Sequence, residues 1–169
     1  MIISYDAKKC LYSLWNDNIC ERVNRRANTD VMKASALWHS GKKINIIRSM
    51  LLHARNIKRY GCEIYPQATI GKGFYMPHCV GIVIGNTTII GENCVVFPNV
   101  VFGARYSPKG DNPQGRRHAK VGNNCVFGAN STIFGDITIG NNVTVGAGAV
   151  VTKDVPDNTT VVGVNKLIS

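Results

Sequence analysis

The stretch KVGNNCVFGANSTIFGDITIGNNVTVGAGAVV, residues 120–151, decides the fold. An aliphatic or aromatic residue recurs at every sixth position: Val121, Phe127, Ile133, Ile139, Val145 and Val151. Small or apolar residues follow four positions after these: Cys125, Ser131, Ile137, Val143 and Ala149. A period of six fits neither an α-helix nor an alternating strand. It predicts short strands joined by tight bends, with one side chain of each strand pointing into a narrow interior.

The same period extends upstream to Ile64, with two interruptions. Between Met76 and Ile84 the spacing is eight rather than six, and Ala104–Lys120 is an insertion of 17 residues. Three strands close one triangular coil of about 18 residues, and coils stack through strand ladders about 4.8 Å apart. We therefore predict a mainly β chain, with a parallel β-helix over residues 61–169 and a loop insertion at 104–120.

The first 60 residues have a different composition. They contain 12 Lys and Arg against 4 Asp and Glu, and only one of the 17 glycines. The stretches Asn18–Ala34 and Lys43–Arg59 lack Gly and Pro. In the second stretch Ile44, Ile47, Leu51 and Ala54 keep helical spacing. We predict a basic α-helical segment at 1–60, packed on the N-terminal end of the β-helix.

The basic surplus admits two interpretations. The charges either form solvated helix faces or attract an anionic partner, which would include peripheral association with a lipid surface. A nucleic-acid partner is not expected, because no basic groove with interleaved aromatic residues appears. No apolar run approaches the roughly 20 residues that span a membrane, and no secretory signal is recognisable, so we expect a cytoplasmic protein.

Two of the four histidines lie at irregularities of the repeat. His78 occurs in MPHCVG, residues 76–81, where the register slips, and His118 ends the insertion in GRRHAK, residues 115–120. A slip in a regular repeat re-aims a side chain as a bulge does in a sheet, and long loops often carry function. These histidines are the first candidates for chemistry.

Four runs carry a family resemblance: IYPQATIGKG (64–73), MPHCVGIVIG (76–85), RHAKVG (117–122) and GAGAVV (146–151). They resemble serine acetyltransferase and its shorter relatives, which O-acetylate sugars of capsules and exopolysaccharides. The resemblance covers residues 61 to about 165. It implies a left-handed β-helix that associates as a homotrimer, with pairing of trimers left open. It also implies acetyl-CoA as the acetyl donor and no metal.

The resemblance also assigns roles to residues. His78 matches the general base, Glu63 matches the carboxylate that orients it, and His118 with Arg117 matches the acceptor-binding pair. Imidazole suits proton removal from a hydroxyl near neutral pH, and a carboxylate on its other nitrogen stabilises the imidazolium. The positions that line coenzyme A are matched by Ala104, Ala129 and Ala147. Lys153 and Lys166 are either contacts for the coenzyme phosphates or ordinary surface lysines.

Three departures from serine acetyltransferase bear on the acceptor. Pro77 stands where that enzyme has an acidic residue that contacts the amino group of serine. Glu63 replaces an aspartate, and the N-terminal segment is much shorter. The insertion also carries Arg105, Lys109, Arg116 and Arg117 against Asp111. From these features we expect the acceptor to be a sugar hydroxyl of a surface polysaccharide or its precursor, with L-serine as the alternative.

Two other classes compete with an acyltransferase. A β-helix carbonic anhydrase needs three histidines around a metal, and only two histidines lie in the repeat region. A non-catalytic β-helix would bind no coenzyme A and would not need His78. We therefore predict an acetyl-CoA-dependent O-acetyltransferase.

Overall fold

The fold, seen in a computed structural model, is described for residues 21–105 and 115–163. Two helices come first, α1 (Glu21–His39) and α2 (Lys43–Tyr60). Short strands follow: β1 (Glu63–Ile64), β2 (Thr69–Ile70), β3 (Val83–Ile84), β4 (Ile89–Ile90), β5 (Val95–Val96), β6 (Val101–Gly103), β7 (Lys120–Val121), β8 (Val126–Phe127), β9 (Thr132–Phe134), β10 (Thr138–Ile139), β11 (Thr144–Val145), β12 (Val150–Val151) and β13 (Thr160–Val161).

The described strands form three parallel sheets, which are the faces of a triangular prism. The first face has the order β1-β3-β6-β9-β12, the second β2-β4-β7-β10 and the third β5-β8-β11-β13. Because consecutive strands belong to consecutive faces, the chain winds as a β-helix. The predicted mainly β class with an N-terminal helical part is confirmed.

The core consists of the residues that the six-residue period selects. All six residues of the series in 120–151, and all five that follow them by four positions, are buried. The rings of Phe102 and Phe127 meet edge to face at 4.9 Å between centroids. The four described cysteines, Cys62, Cys79, Cys94 and Cys125, are free and buried. A strand of two residues therefore commits one side chain to the interior, and the next buried residue comes from the bend.

Three edges join the faces of the prism. We call the edge between the first and second faces the first edge, that between the second and third faces the second edge, and that between the third and first faces the third edge. On the second edge Asn93, Asn124, Asn142 and Asn158 all have left-handed backbone with φ of 55° to 58°. Asparagine tolerates this conformation better than most residues. Their amides form a ladder with N···O distances of 3.4, 3.2 and 2.9 Å.

The helices pack through a different surface from the one that the apolar spacing predicts. Ser49, His53, Asn56 and Tyr60 are the buried residues of α2. The Ser49 hydroxyl donates to the Ala34 carbonyl of α1 at 2.7 Å. Ile44, Ile47 and Leu51 are 56%, 57% and 67% exposed. Small polar side chains let the two helices approach closely and bond to backbone, so the polar stripe is the packed one. Neither described helix has the length and apolarity needed to traverse a lipid bilayer.

Candidate active site

His78 lies on the third edge, in the bend that the two extra residues lengthen. The bend follows Tyr75, which bridges to Val95, and ends at β3. Asn28 of α1 fixes its start, since its side chain accepts from the Met76 N–H at 2.9 Å and donates to the Met76 carbonyl at 3.1 Å. Cys79 is buried, whereas the His78 side chain is exposed. His78 lines a cavity of about 250 Å³ between this bend and the helices.

Glu63 begins β1 beside the same edge. The Gly81 N–H donates to the Gly61 carbonyl at 2.8 Å, which stacks the His78 bend on the chain just before Glu63. The Glu63 carboxylate accepts a hydrogen bond from the Tyr65 hydroxyl, and this bond raises the pKa of Tyr65. Within the described residues no hydrogen bond or ion pair joins Glu63 to His78. The structure therefore brings the two to one edge, and their pairing stays a prediction.

His118 lies on the first edge, where the insertion rejoins the second face. Its side chain is buried, with 6% exposure. Its Nδ1 lies 2.7 Å from the hydroxyl oxygen of Thr87. That oxygen also accepts from the Arg117 N–H at 2.9 Å and from the His118 N–H at 3.2 Å. One threonine thus holds the histidine ring and the backbone that presents it.

Gly85 provides the space for this ring. A Cβ at Gly85 would lie 2.0 Å from His118 Nε2 and 2.3 Å from Cδ2. No side chain can occupy that position while His118 keeps its place. The six-residue period predicts only that Gly85 belongs to a bend. The contact between Gly85 and the His118 ring is seen only in the folded structure.

Arginines surround this second group. The Arg116 guanidinium pairs with the Asp136 carboxylate, and Arg117 is exposed next to His118. A cavity of about 420 Å³ opens here, with Gln67, Thr69, Thr87 and Arg116 among its lining residues. Sequence analysis missed Thr87; its place three residues after the Ile84 of a repeat was the only signal available.

The remaining predicted residues divide between the two edges. Ala129 and Ala147 are stacked on the third edge, where the Gly148 N–H donates to the Ala129 carbonyl at 2.9 Å. Ala104 follows β6 and Lys153 follows β12, so both lie on the first edge. Lys166 is outside the described residues. His78 with Glu63 and His118 with Arg117 are consequently on different edges of one prism.

A further cavity lies away from both histidine groups. A groove of about 460 Å³ between α1 and α2 has Lys33, Arg48, Leu51 and Arg55 in its wall, and it contains none of the predicted site residues. No three histidine, cysteine or carboxylate side chains in residues 21–105 and 115–163 are grouped so that they could hold a metal ion.

Comparison with known proteins shows which enzymes this chain is similar to. Residues 119–153 match the family model described as the hexapeptide repeat of succinyl-transferase. The serine acetyltransferase of Synechococcus elongatus is 38% identical over 129 residues, which are 76% of this chain and 50% of that protein. The serine acetyltransferase of Bacillus pumilus is 42% identical over 104 residues, 62% of this chain and 46% of that protein.

Solved structures agree with the sequence relatives. The serine acetyltransferase of Neisseria gonorrhoeae in complex with serine superposes with a TM-score of 0.72 at 34% identity, covering 85% of this chain and 55% of that one. The isoform 3 enzyme of Entamoeba histolytica in complex with cysteine gives a TM-score of 0.72 at 30% identity, covering 87% and 49%. The predicted left-handed β-helix and the resemblance to serine acetyltransferases are confirmed. The chain spans about half the length of the relatives it matches.

The expectation of a polysaccharide acceptor is wrong. The similar proteins are serine acetyltransferases, and one of the matching structures holds serine. The expectation gave too much weight to Pro77, Glu63, the short N-terminal segment and the basic insertion. The Arg117–His118 pair, which Thr87 anchors, is the larger part of the predicted acceptor site.

Proposed function

We propose that this serine acetyltransferase-like hexapeptide-repeat chain is a serine O-acetyltransferase, which transfers the acetyl group of acetyl-CoA to the hydroxyl of L-serine. The observation that carries the proposal is the match to serine acetyltransferases through the region that contains both histidine groups. In the reaction the serine oxygen bonds to the thioester carbonyl carbon, and the carbon–sulfur bond then breaks. The hydroxyl proton passes to a base and then to the coenzyme A thiolate.

His78 is the base in this proposal. Its exposure lets a substrate hydroxyl reach the imidazole, and imidazole is the side chain best suited to exchange protons near neutral pH. The neighbouring bend is fixed by Asn28, so the ring is presented from a defined backbone. Glu63 turns from Tyr65 to the His78 ring when the imidazolium forms, because the carboxylate then gains an ionic hydrogen bond.

Arg117 and His118 bind the acceptor. L-Serine carries a carboxylate, and a guanidinium binds a carboxylate through two parallel hydrogen bonds. The Arg117 N–H donates to the hydroxyl oxygen of Thr87, and Thr87 lines the cavity on the first edge. The acceptor is thus oriented by its carboxylate, with its hydroxyl directed to the base.

Coenzyme A binds along the edges that carry the small residues. Ala129 and Ala147 leave an unobstructed strip of backbone on the third edge, where the pantetheine arm can bond to peptide groups. Ala104 and Lys153 extend the donor site on the first edge, and the ammonium groups of Lys153 and Lys166 pair with the coenzyme phosphates in this proposal.

Two copies of the chain complete each site. His78 and His118 lie on different edges of one prism, so a threefold arrangement that sets the third edge of one copy against the first edge of the next joins them. This supports the homotrimer. Mixing inactive His78→Ala and His118→Ala chains by refolding together restores part of the activity, because some interfaces then carry both intact histidines. No restored activity in mixed trimers would overturn the shared site.

The activity is tested by thiol release from acetyl-CoA. We expect release that saturates with L-serine, formation of O-acetylserine by mass spectrometry, and no release with L-alanine, which lacks only the hydroxyl. Thiol release that is the same with both amino acids would refute the proposed function.

A further inference from the structure

We infer that Thr87 is a positioning residue that locks His118 as the neutral tautomer with its proton on Nε2, so that this histidine offers the acceptor a hydrogen-bond donor and not a base. The tautomer follows from the geometry of the first edge. The use of the donor on the acceptor rests on the proposed function.

The inference rests on the hydrogen bonds that the Thr87 hydroxyl makes. A threonine oxygen has two lone pairs and one O–H donor. Both lone pairs of Thr87 are used, since its oxygen accepts from the Arg117 and His118 N–H groups at 2.9 and 3.2 Å. The O–H is therefore left for His118 Nδ1, which lies at 2.7 Å. A proton on Nδ1 would point at an oxygen with no free lone pair.

The orientation of the His118 ring is fixed by its surroundings. His118 is 6% exposed, and the Gly85 backbone packs over the face of its ring, since an added Cβ would lie 2.0, 2.3 and 2.6 Å from Nε2, Cδ2 and Cε1. Thr87 belongs to the same tight bend as Gly85, since the Thr88 N–H donates to the Gly85 carbonyl at 3.1 Å. One bend therefore holds both sides of the imidazole.

The two histidines consequently have different chemistry. His78 is exposed and exchanges protons with substrate, whereas His118 keeps its Nδ1 lone pair occupied by the Thr87 hydroxyl. A fixed Nε2–H and the guanidinium of the adjacent Arg117 are the two donor groups that this proposal assigns to one carboxylate. Thr87 acts on substrate through His118 and through the backbone of Arg117, and it is not itself a catalytic residue.

The tautomer is measured by long-range proton–nitrogen NMR of the protein labelled with ¹⁵N-histidine, without substrate. The chain has four histidines, and the His118→Gln variant identifies the signal of His118. We expect the pattern of a neutral ring protonated on Nε2. A ring protonated on Nδ1, or on both nitrogens at neutral pH, would overturn the inference.

Three variants separate positioning from general stability. Thr87→Val removes the hydroxyl, and we expect a loss of the single-tautomer pattern together with a rise in KM for L-serine on the order of tenfold, the value of one hydrogen bond. Thr87→Ser keeps the hydroxyl and restores both. Thr88→Val is the matched control, because the buried Thr88 hydroxyl makes no hydrogen bond. A folded Thr87→Val protein with the wild-type NMR pattern would contradict the assignment.

The outcomes distinguish this inference from the proposed function. If L-serine is not acetylated and His118 still shows the Nε2 tautomer that Thr87→Val abolishes, the function fails and the positioning role stands. If L-serine is acetylated and the tautomer differs, the positioning role fails alone.

Discussion

Substitution of Gly85 by alanine tests the arrangement of the first edge. A methyl group there would lie 2.0 Å from His118 Nε2. Because carbon and nitrogen approach to about 3.5 Å without bonding, the ring has to retreat by about 1.5 Å. This movement breaks the 2.7 Å bond between Thr87 and Nδ1. A misplacement of about 1 Å in a site costs about 10²-fold in rate, so we expect kcat/KM for L-serine to fall by about that factor.

The same substitution has a smaller effect on stability. Overpacking costs about 1–3 kcal/mol, so Gly85→Ala lowers the free energy of unfolding by that amount and leaves a folded protein. Kinetics by thiol release and unfolding in urea measure the two effects. Gly146→Ala is the control for stability, since Gly146 also follows a buried repeat residue and its added methyl meets the Val162 side chain at 3.2 Å and the Val161 carbonyl oxygen at 3.3 Å, with no atom as close as 2.0 Å. A folded Gly85→Ala protein with wild-type kcat/KM would refute the placement of His118.

Three further predictions concern the acceptor and the edges. Pro77→Asp restores the acidic residue of serine acetyltransferases, and we expect a several-fold lower KM for L-serine with little change in KM for acetyl-CoA; an unchanged KM would show that position 77 does not face the acceptor. Asn142→Ala breaks two ladder bonds and puts alanine at a φ of 55°. Asn142→Gly breaks the same two bonds without the backbone strain, so urea unfolding should show the alanine variant less stable by about 1 kcal/mol, and equal stabilities would contradict the left-handed backbone at this position. Asp157 accepts from the backbone and side chain of Asn141, which holds its pKa below the ordinary 3.8. The stabilisation that the Asp157 carboxylate provides is therefore present above pH 3.8 and is lost as the pH falls through the lowered pKa. The melting temperature of wild type relative to Asp157→Asn should fall with acidification. A difference that does not depend on pH would be the contrary result.

The prism could be predicted from sequence because its rule is local. Each strand buries one side chain, so the regular spacing of residues such as Phe127 and Val145 is enough to predict the β-helix. The slip at residues 77–83 and the insertion after Gly103 were visible for the same reason, as breaks in a regular count.

The packing of the helices could not be predicted in this way. An apolar stripe indicates which face is hydrophobic, but α2 packs through the face that includes Ser49 and Asn56, and the Ser49 hydroxyl bonds to the backbone of α1. The face of α2 that becomes buried depends on the surface it packs against, which residues of α1 and of the first coil form.

The histidines of the candidate site could be predicted from the sequence, but the residues that position His118 could not. His78 and His118 stood out at irregularities, but Thr87 and Gly85 serve His118 across 31 and 33 positions of sequence. That relation exists only when the insertion folds back on the first edge. The acceptor was misassigned because the departures at Pro77 and Glu63, the short N-terminal segment and the basic insertion were given more weight than the similarity to serine acetyltransferases.

The His78→Ala variant tests the central claim most directly, because a single imidazole is assigned the proton of the acceptor hydroxyl. Its rate of L-serine acetylation is compared with that of wild type at saturating acetyl-CoA, with circular dichroism as the control for folding. We expect turnover to fall by about 10²–10⁴-fold in a protein that keeps its β-helix. A folded His78→Ala protein that acetylates L-serine at the wild-type rate would contradict the account.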